Sequence, residues 1–257
     1  MDVERVAVPT ETLAPGGTTN AYLLDCEATV LVDPAARTDD LDAAVADRDV
    51  EHVLVTHAHP DHVGAVAHYA ETCGATVWAR AGRERRFADA TGIEADRTFR
   101  GGTAIGGVEA IETPGHAPGH VALAADGAVL TGDLVVAEGS VVIGAEEGDL
   151  RAYLASLRRL YARNPDRLYP GHGPTIEEPR ATVERLIRHR LDREAEVLAA
   201  VRGGATELDE IVDAAYEKDL SGVRELARST VAAHLEKLAV EGTVVWDGAE
   251  ARPADEG

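Results

Sequence analysis

The spacing of apolar residues along the chain predicts a mixture of strands and helices. Short apolar stretches bounded by turn residues predict strands, at positions 3–8, 20–24, 29–32, 52–56, 75–79 and 167–169. Apolar residues with helical spacing predict helices, at positions 38–46, 61–73, 150–163, 180–202, 208–216 and 223–240. Between 101 and 136, further short strands are separated by glycines. The alternation of strands and helices in the first half indicates an α/β fold.

The composition changes after Pro179, where long helical patterns replace the short strands. Helical stretches there are followed by a final strand pair near 243–246, and this arrangement resembles a winged-helix module. We therefore predict a main domain over residues 1–190 and a small winged-helix-like domain over residues 191–257.

Length and composition are those of an ordinary globular protein. The 257 residues are enough for one large core, and no stretch approaches the roughly 18 consecutive apolar residues of a membrane span. The opening segment, MDVERVAVPT, lacks the apolar stretch of a secretion signal, which predicts a cytoplasmic protein without a membrane partner. Cys26 and Cys73 have no CxxC spacing, so neither a disulfide framework nor a cysteine-only metal site is predicted.

Acidic residues strongly outnumber basic ones. The 46 aspartates and glutamates against 25 lysines and arginines give a formal charge of −21, and Lys218 and Lys237 are the only lysines. An acid-rich, lysine-poor surface is typical of proteins from salt-accumulating organisms, so we predict a halophilic protein. Because the Debye length falls to about 3 Å in roughly molar salt, the net charge is then a poor guide to binding partners.

A dense group of candidate metal ligands follows the predicted strand at 52–56, and it consists of His57, His59, Asp61 and His62. Imidazole and carboxylate groups are the ligands that zinc and similar divalent metals favour. A loop at the end of a strand can turn His57 and His59 towards one ion while Asp61 and His62 face its neighbour. A single histidine is more often a surface or core residue, but this density indicates a metal centre.

More candidate ligands follow on later loops. His116, Asp133 and His172 each stand beside a glycine, after predicted strands. Glycine lets the backbone approach a crowded site closely. Together with the first loop, these residues extend the predicted metal centre.

These motifs are similar to the signature of the metallo-β-lactamase superfamily, in which His-x-His-x-Asp-His is followed by a spaced His, Asp and His. The resemblance covers about residues 1–190 and implies an αββα sandwich, with a dinuclear site in the cleft at one edge of two sheets. It also implies the ligand sets, which are His57, His59 and His116 for the first metal and Asp61, His62 and His172 for the second, with Asp133 bridging them.

A dinuclear centre of this kind implies a metal-dependent hydrolase. Water between two divalent cations, zinc being the expected metal, loses a proton near neutral pH and attacks an ester-type bond as a bridging hydroxide. Asp61 can orient that hydroxide. His120, in the same stretch as His116, is predicted to lie near the pocket as a second catalytic candidate, with a packing role as the alternative.

Further candidates are predicted around the site, each with a structural alternative, and those expected to contact substrate are Asn20, His189 and Arg190. Asn20 and Asp33 stand where relatives carry similar residues, but turns and strand packing also explain them. His189 and Arg190 resemble a His-Arg pair of one branch of the superfamily and can reach over the cleft, or they belong to a solvated helix. A basic cluster can receive an anionic substrate or form a solvated helix face, and it consists of Arg80, Arg83, Arg85 and Arg86.

The ligands distinguish branches of the superfamily. Asp133 argues against the antibiotic-degrading group that has cysteine there, and His59 argues against the flavodiiron type, which has glutamate. Asp133 lies 17 positions after His116, and His172 lies 39 positions after Asp133. This spacing leaves no room for the inserted domain of the RNA-processing cleavage factors.

Two branches remain. One is the glyoxalase II-like group of thioester hydrolases, and the other is the β-lactamase-like protein 2 branch, whose members are endoribonucleases of single-stranded RNA. The Thr-Pro-Gly-His and Gly-His-Gly motifs, the His-Arg helix and the winged-helix-like tail favour the second branch. The predicted substrate is therefore a small thioester or ester, or single-stranded RNA, because one fold can serve many leaving groups.

Two alternatives from other classes stay open. Persulfide-oxidising relatives use a single iron and O₂, and the winged-helix-like tail suggests a DNA-binding protein whose metal domain senses a ligand. Residues 191–257 carry sixteen acidic and seven basic residues, a balance of −9, so specific DNA binding is not favoured. A cover for the cleft or a subunit contact fits the tail better. The sequence predicts no oligomeric state.

Overall fold

The computed structural model describes residues 2–12, 14, 16–217 and 220–254. The strands are β1 (Asp2–Pro9), β2 (Thr18–Asp25), β3 (Thr29–Val32), β4 (Val50–Leu54), β5 (Thr76–Arg80), β6 (Arg97–Phe99), β7 (Ala104–Ile105), β8 (Val108–Glu112), β9 (Val121–Ala125), β10 (Ala128–Gly132), β11 (Arg167–Pro170), β12 (Val244–Trp246) and β13 (Ala251–Pro253). The helices are α1 (Asp39–Ala46), α2 (Pro60–Val63), α3 (Val66–Cys73), α4 (Glu84–Thr91), α5 (Leu150–Arg163), α6 (Pro179–Arg202), α7 (Leu208–Ala215) and α8 (Arg224–Val240).

The strands of the main body form a six-stranded and a five-stranded sheet. The larger sheet has the order β1-β2-β3-β4-β5-β6, with antiparallel pairs at first and parallel pairs from β3 onwards. The smaller sheet has the order β11-β10-β9-β8-β7, in which β10 and β11 run parallel. Because β3 and β4 are parallel, as are β10 and β11, the loops after each pair leave the same sheet edge side by side.

Alternation along the central strands divides their apolar residues between two faces. In β3, Val30 and Val32 pack into the core between the two sheets, whereas Leu31 packs on the outer face. In β9, Val121 and Leu123 face the same inner core, and the alanines that follow each of them face outward. The period of two thus builds an inner core and an outer core from the same strands.

Helices cover the outer face of each sheet. α1, α3 and α4 contribute buried residues such as Leu41, Tyr69 and Phe87 to the core on the six-stranded sheet. α5 and α6 cover the five-stranded sheet with residues such as Leu157 and Val183. The four layers confirm the predicted αββα sandwich.

Two helices begin and end close to where the sequence predicts. α1 begins after Thr38, whose side-chain oxygen accepts a hydrogen bond from the Leu41 amide at 3.2 Å. α5 spans Leu150–Arg163, with Asp149 capping its start and Asn164 ending it in the left-handed conformation at φ +51°.

The single helix predicted over 61–73 is wrong, because α2 and α3 are separate helices with a break at Gly64 and Ala65. The Ala65 amide donates to the Pro34 carbonyl at 2.9 Å, and a Cβ at position 64 would clash with the Ala35 carbonyl oxygen. The backbone therefore leaves the helical path to pack against the loop after β3, a contact that apolar spacing does not reveal. β6 is also absent from the predicted strands.

The long helix α6 joins the sandwich to the C-terminal region. Its Leu186 packs on the five-stranded sheet, while Val197 and Val201 pack in a separate core with α7, α8, β12 and β13. In the described part of the chain, neither α6 nor any other helix combines the length and apolar character needed to cross a membrane. The predicted division after residue 190 falls inside α6, and both that division and the winged-helix likeness stay predictions.

Candidate metal centre

Loops at one edge of the sandwich bring the predicted ligands together. The loop that begins at His57 follows β4, Asp133 follows β10, and His172 follows β11. His116 lies in the turn between β8 and β9. The donor atoms fall into overlapping groups of three residues, and within each group they lie within 4.8 Å of one another.

The first cluster consists of His57, His59 and His116. Nδ1 of His59 lies 2.9 Å from Nε2 of His57 and 3.0 Å from Nε2 of His116. His57 is buried, and the other two rings are partly exposed. The three rings therefore aim one nitrogen each at a common position.

The opposite nitrogen of each of these rings faces an oxygen, which indicates where the ring proton lies. The oxygens are Thr56 Oγ1 for His57, Oε2 of Glu147 for His59 and the Val142 carbonyl for His116, at 3.1, 3.1 and 3.0 Å. With the protons on those outer nitrogens, the three inner nitrogens turn lone pairs towards one another. Such lone pairs repel unless a cation lies among them, so the first cluster fits a metal ion.

The second cluster consists of Asp61, His62 and His172. Nε2 of His172 lies 3.6 Å from Asp61 Oδ2, and its Nδ1 donates to the Thr18 carbonyl at 2.8 Å. Nδ1 of His62 donates to Asp33 Oδ2 at 3.0 Å, which leaves Nε2 to act as the ligand atom. That Nε2 is buried and has no hydrogen-bond partner among the described residues, so the second cluster also fits a metal ion.

Asp133 lies between the two clusters. Its Oδ2 lies 3.5 Å from Nε2 of His116 and 3.4 Å from Nε2 of His172, while its Oδ1 lies 3.6 Å from Nε2 of His62. Oδ1 is buried without a hydrogen-bond partner among the described residues, which is unfavourable for a carboxylate oxygen unless a cation approaches it. Imidazole and carboxylate donors together suit divalent transition metals.

Two glycines permit the close packing of these loops. Gly132 has φ +47°, and a Cβ there would come within 2.6 Å of Thr56 Oγ1 and 2.9 Å of His120 Nε2. A Cβ at Gly171 would come within 2.5 Å of Asp133 Oδ1. A side chain at either position would therefore displace a ligand or a residue that holds one.

Asp33, for which the sequence left a turn and a site role open, does both. It adopts φ +51° directly after β3 and is buried. Its carboxylate accepts hydrogen bonds from the Thr56 amide at 2.6 Å, the Thr56 hydroxyl at 2.7 Å and His62 Nδ1 at 3.0 Å. Asp33 thus turns the chain and fixes the orientation of His62.

The two clusters differ in their electrostatic surroundings. Burial lowers the pKa of His57 well below its usual value, and it lowers the pKa of His116 despite the opposing charge of Asp133. Burial also acts to lower the pKa of His62, but Asp133 and the other carboxylates around it outweigh burial and raise the pKa to about 9. Burial acts to lower the pKa of His172 as well, but the Asp133 carboxylate and the Thr18 carbonyl together outweigh burial and raise it. The second cluster therefore favours positive charge more strongly than the first.

The ring centroid of His120 lies 5.1 Å from that of His57, and both ring nitrogens of His120 have protein partners. His120 is buried, with Nδ1 2.9 Å from Thr113 Oγ1, and its Nε2 accepts a hydrogen bond from the Asp133 amide at 3.1 Å. Burial and the neighbouring His116 lower the pKa of His120 to about 3, so the ring is neutral and able to accept that bond. In this arrangement His120 positions Asp133, and its catalytic role stays a prediction.

Asn20 holds the loop that carries His172. Its side-chain amide donates to the carbonyls of Pro170 and Gly173, each at 2.9 Å, and its backbone amide donates to the Gly171 carbonyl at 2.8 Å. Both hydrogens of the side-chain amide are therefore used within the protein. The predicted contact between Asn20 and substrate stays a prediction.

In the His-Arg pair of α6, Arg190 is buried and His189 is exposed. Arg190 donates to the Val141 carbonyl, and its guanidinium carbon lies 5.4 Å from the centroid of the Tyr153 ring. Val141 belongs to the segment 133–149 between β10 and α5, which we call the β10–α5 loop. Arg190 thus fastens this loop to α6, while the substrate role of the pair stays a prediction.

Glu147, in the β10–α5 loop, is a residue of the site that sequence reasoning missed. Its Oε2 lies 3.1 Å from His59 Nε2 and 2.5 Å from Arg86 Nη2. It lies 88 positions after His59, in a loop without apolar periodicity, so no local signal marks the contact. Arg80, another member of the predicted basic cluster, pairs with Glu112 at 2.5 Å. Carboxylates therefore neutralise part of that cluster.

The family model described as the Metallo-beta-lactamase superfamily matches residues 14–172, a span that includes all the ligands of both clusters. The chain therefore belongs to the metallo-β-lactamase superfamily. This membership confirms the resemblance carried by the motif that begins at His57.

Two named relatives and one solved structure are similar to the chain over most of its length. The Beta-lactamase-like protein 2 homolog of Caenorhabditis elegans is 30% identical over 242 residues, which are 88% of this chain and 80% of that protein. The atrochrysone carboxyl ACP thioesterase of Aspergillus fumigatus is 32% identical over 212 residues, which are 76% of this chain and 64% of that protein. A metallo-beta-lactamase family protein of Thermus thermophilus superposes with a TM-score of 0.77 and 25% identity, covering 98% of both chains. Fold, site and relatives together support a metal-dependent hydrolase.

Proposed function

We propose that the protein is a hydrolase that uses two divalent metal ions, zinc being the expected metal, to cleave a thioester or a related ester bond. The observation that carries the proposal is the position of Asp133 between two clusters of ligands. Its Oδ2 lies 3.5 Å from His116 of the first cluster and 3.4 Å from His172 of the second. A carboxylate in this position can bridge two ions, whereas a single ion would need only one cluster.

Some residues of the centre can orient the attacking water, and others hold the metal ligands in place. When bound, divalent ions lower the pKa of water towards neutrality and polarise the carbonyl oxygen of a substrate. Asp61 is the more accessible acid, with 19% of its side chain exposed against 10% for Asp133. Its carboxylate can accept a hydrogen bond from the attacking water and orient it. Asp33 and His120 hold their partners in place from the buried side.

A small thioester suits the surroundings better than a polyanion. The Aspergillus fumigatus relative is named as an ACP thioesterase, which acts on thioester bonds. An open cavity of about 480 Å³ is lined by His59, Arg86 and Glu147 among other residues, and its volume suits a small-molecule substrate. The formal charge of −21 disfavours RNA at low salt, whereas the molar salt predicted for a halophilic protein screens this charge.

A substrate panel on the metal-reconstituted protein tests this proposal. Acyl thioesters, carboxylic esters, single-stranded RNA and a β-lactam are compared at low and at molar salt, with metal content measured on the same samples. We expect two metals per chain and the highest kcat/KM for thioesters. In Asp133→Asn we expect turnover to fall by about a thousandfold or more, because the bridging ligand is weakened. Asp40→Asn, an exposed position at the start of α1, is the matched control.

Other outcomes of the panel support different functions. Full thioester turnover in Asp133→Asn would overturn the two-metal proposal. A single iron per chain together with oxygen consumption would identify a persulfide dioxygenase-like enzyme. DNA binding in a gel shift that survives loss of the metal ligands would support a DNA-binding protein, and RNA cleavage above thioester turnover would replace the proposed substrate.

A further inference from the structure

The contact between Glu147 and His59 points to a role for a residue outside the ligand set. We propose that Glu147 is a positioning residue that orients His59 towards the first metal, and that Arg86 and the C-terminal helices hold Glu147 in place. This inference rests on the proposed function, since it concerns the first of the two metal positions. It assigns the C-terminal region a part in building the metal centre.

His59 differs from the other two members of the first cluster in what holds its outer nitrogen. His57 is held by Thr56, its neighbour in sequence, and His116 is held by a backbone carbonyl. The outer nitrogen of His59 instead faces a side chain, Glu147, that comes from a distant loop. The side chain of His59 is 25% exposed, so packing alone restrains this ring less than it restrains a buried one.

Arg86 fixes the position of the Glu147 carboxylate. Its Nη2 lies 2.5 Å from Glu147 Oε2, the same oxygen that faces His59. Side-chain exposures of 32% for Arg86 and 44% for Glu147 mean that this ion pair adds little to folding stability. Its effect is therefore expected in the orientation of His59, because a carboxylate behind a ligand histidine sets the tautomer and the ring angle.

The C-terminal helices hold the β10–α5 loop from its other side. From α6, Arg185 donates to the carbonyls of Val136, Ala137 and Gly139, at 3.1, 3.0 and 2.7 Å. In α8, the Ser229 carbonyl accepts a hydrogen bond from the Ala145 amide at 3.2 Å. Two positions later, the same loop presents Glu147 to His59. The position of Glu147 thus depends on contacts made by α6 and α8.

Substitutions at adjacent glutamates provide the central test. Glu147→Ala removes the acceptor of His59, whereas Glu146→Ala removes the same charge from an exposed neighbour. Zinc affinity at each of the two positions is measured by chelator competition, and cobalt(II) absorption reports the ligand geometry. For Glu147→Ala we expect first-metal affinity to fall about 10- to 100-fold and the cobalt spectrum to change, with second-metal affinity within about twofold of the native value.

Four further variants extend the test to the length of the Glu147 side chain and to its supports. Glu147→Asp keeps a carboxylate on a shorter side chain, so we expect it to retain more affinity than Glu147→Ala. Arg86→Gln is expected to weaken the first metal, whereas Arg85→Gln, whose side chain is 96% exposed, is expected not to. Gly144→Ala would clash with Ser229 Oγ and is expected to shift the loop and weaken the same metal. Unfolding of each metal-free variant is followed in parallel.

The outcomes separate this inference from the proposed function. Equal first-metal affinity in Glu147→Ala and Glu146→Ala would overturn the positioning role, even when the native protein binds two metals and cleaves thioesters. If the native protein binds a single ion, the two-metal function fails; a lower affinity for that ion in Glu147→Ala than in Glu146→Ala then supports the inference, and equal affinity overturns it. If Glu147→Ala lowers the unfolding midpoint and leaves metal affinity unchanged, Glu147 is merely structural and the inference fails.

Discussion

The two clusters of ligands share Asp133 but are held by different kinds of structure. In the second cluster, His62 is held by buried Asp33 at the end of a central strand, and His172 is held by the carbonyl of Thr18 in β2. In the first cluster, His59 and His116 are both held by the β10–α5 loop. The second cluster therefore takes its geometry from the sheets, whereas the first takes part of its geometry from a long connection.

The two clusters also differ in the charge of their surroundings. Carboxylates surround the second cluster and raise the pKa of His62 and of His172, whereas burial dominates in the first and lowers the pKa of His57 and of His116. A cation is therefore attracted more strongly to the second cluster, beside Asp61 and Asp133, than to the first. The comparison indicates that two neighbouring metal positions can differ in rigidity and in charge although they share a bridging ligand.

Of the changes that test this contrast, Asp33→Asn is expected to have the largest effect, because Asp33 holds His62 of the second cluster. The new NH₂ group cannot accept the hydrogen bonds that the Thr56 hydroxyl and His62 Nδ1 donate to Oδ2. We expect second-metal affinity to fall about 10- to 100-fold. The free energy of unfolding of the metal-free protein is expected to fall by about 1–3 kcal/mol, because buried donors lose their acceptor. Chelator competition and urea unfolding measure the two effects.

Asp40→Asn is again the matched control for Asp33→Asn, because Asp40 is exposed at the start of α1. It is expected to leave both metal affinities unchanged. The contrast between the clusters would be broken if Asp33→Asn weakened the first metal as strongly as the second.

Over one pH unit a smaller effect is expected from pH, and it separates the clusters by proton release. In the metal-free protein the pKa of His62 is about 9, so below that pH a second metal must displace its proton. Second-metal affinity should therefore rise by up to about tenfold per pH unit between about pH 6.5 and 9. Burial keeps His57 and His116 neutral above about pH 6.5, so these rings release no proton to the first metal.

Calorimetric titration of metal in buffers of different ionisation enthalpy measures the protons released at each position. The expected result at pH 7.5 is more proton release for the second metal than for the first. Equal proton release at both metal positions would contradict the electrostatic difference between the two clusters. The variant His62→Asn, which has no imidazole at this position, should reduce the difference, and the raised pKa of His172 accounts for the part that remains.

The smallest expected effect comes from the loop that carries His172. Tyr22→Phe removes a hydroxyl that donates to the Pro170 carbonyl at 2.6 Å, and Asn20→Ala removes two further donors to the same loop. We expect each change to lower the free energy of unfolding by about 1 kcal/mol and second-metal affinity by less than about tenfold. Tyr161→Phe, a partly buried position on α5, is the control. A change confined to the first metal would contradict the assignment of this loop.

The ligands could be predicted because each stands in a recognisable local sequence pattern. His57 begins a dense motif after an apolar strand, and Asp133 and His172 stand beside glycines. Asp33 and Glu147, which hold ligands, stand in no such pattern, because each contacts a ligand that is distant in the sequence. Asp33 lies 29 positions before His62, and Glu147 lies 88 positions after His59. Those pairs exist only once the loops have come together.

The fold could likewise be predicted where local sequence patterns determine an element, and not where contacts between distant segments determine it. The predicted strand at 29–32 and the predicted helix at 150–163 match β3 and α5, because alternation, spacing and caps act locally. The break between α2 and α3 was missed because the loop after β3 imposes it from outside the helix. Burial of Arg190 was also unpredictable, because apolar spacing does not indicate where a charged side chain is covered.

The distribution of the ligands along the chain also sets an order of events during biosynthesis. They extend from residue 57 to residue 172 and come from loops of both sheets, so the centre exists only after the sheets have packed. Within the described part of the chain, four apolar cores form from residues other than the ligands, which lets the chain fold before it meets an ion. Small zinc domains, in contrast, need the metal in order to fold. The newly made protein would thus be loaded last, and the ion that it receives would depend on what the cell supplies to a finished pocket.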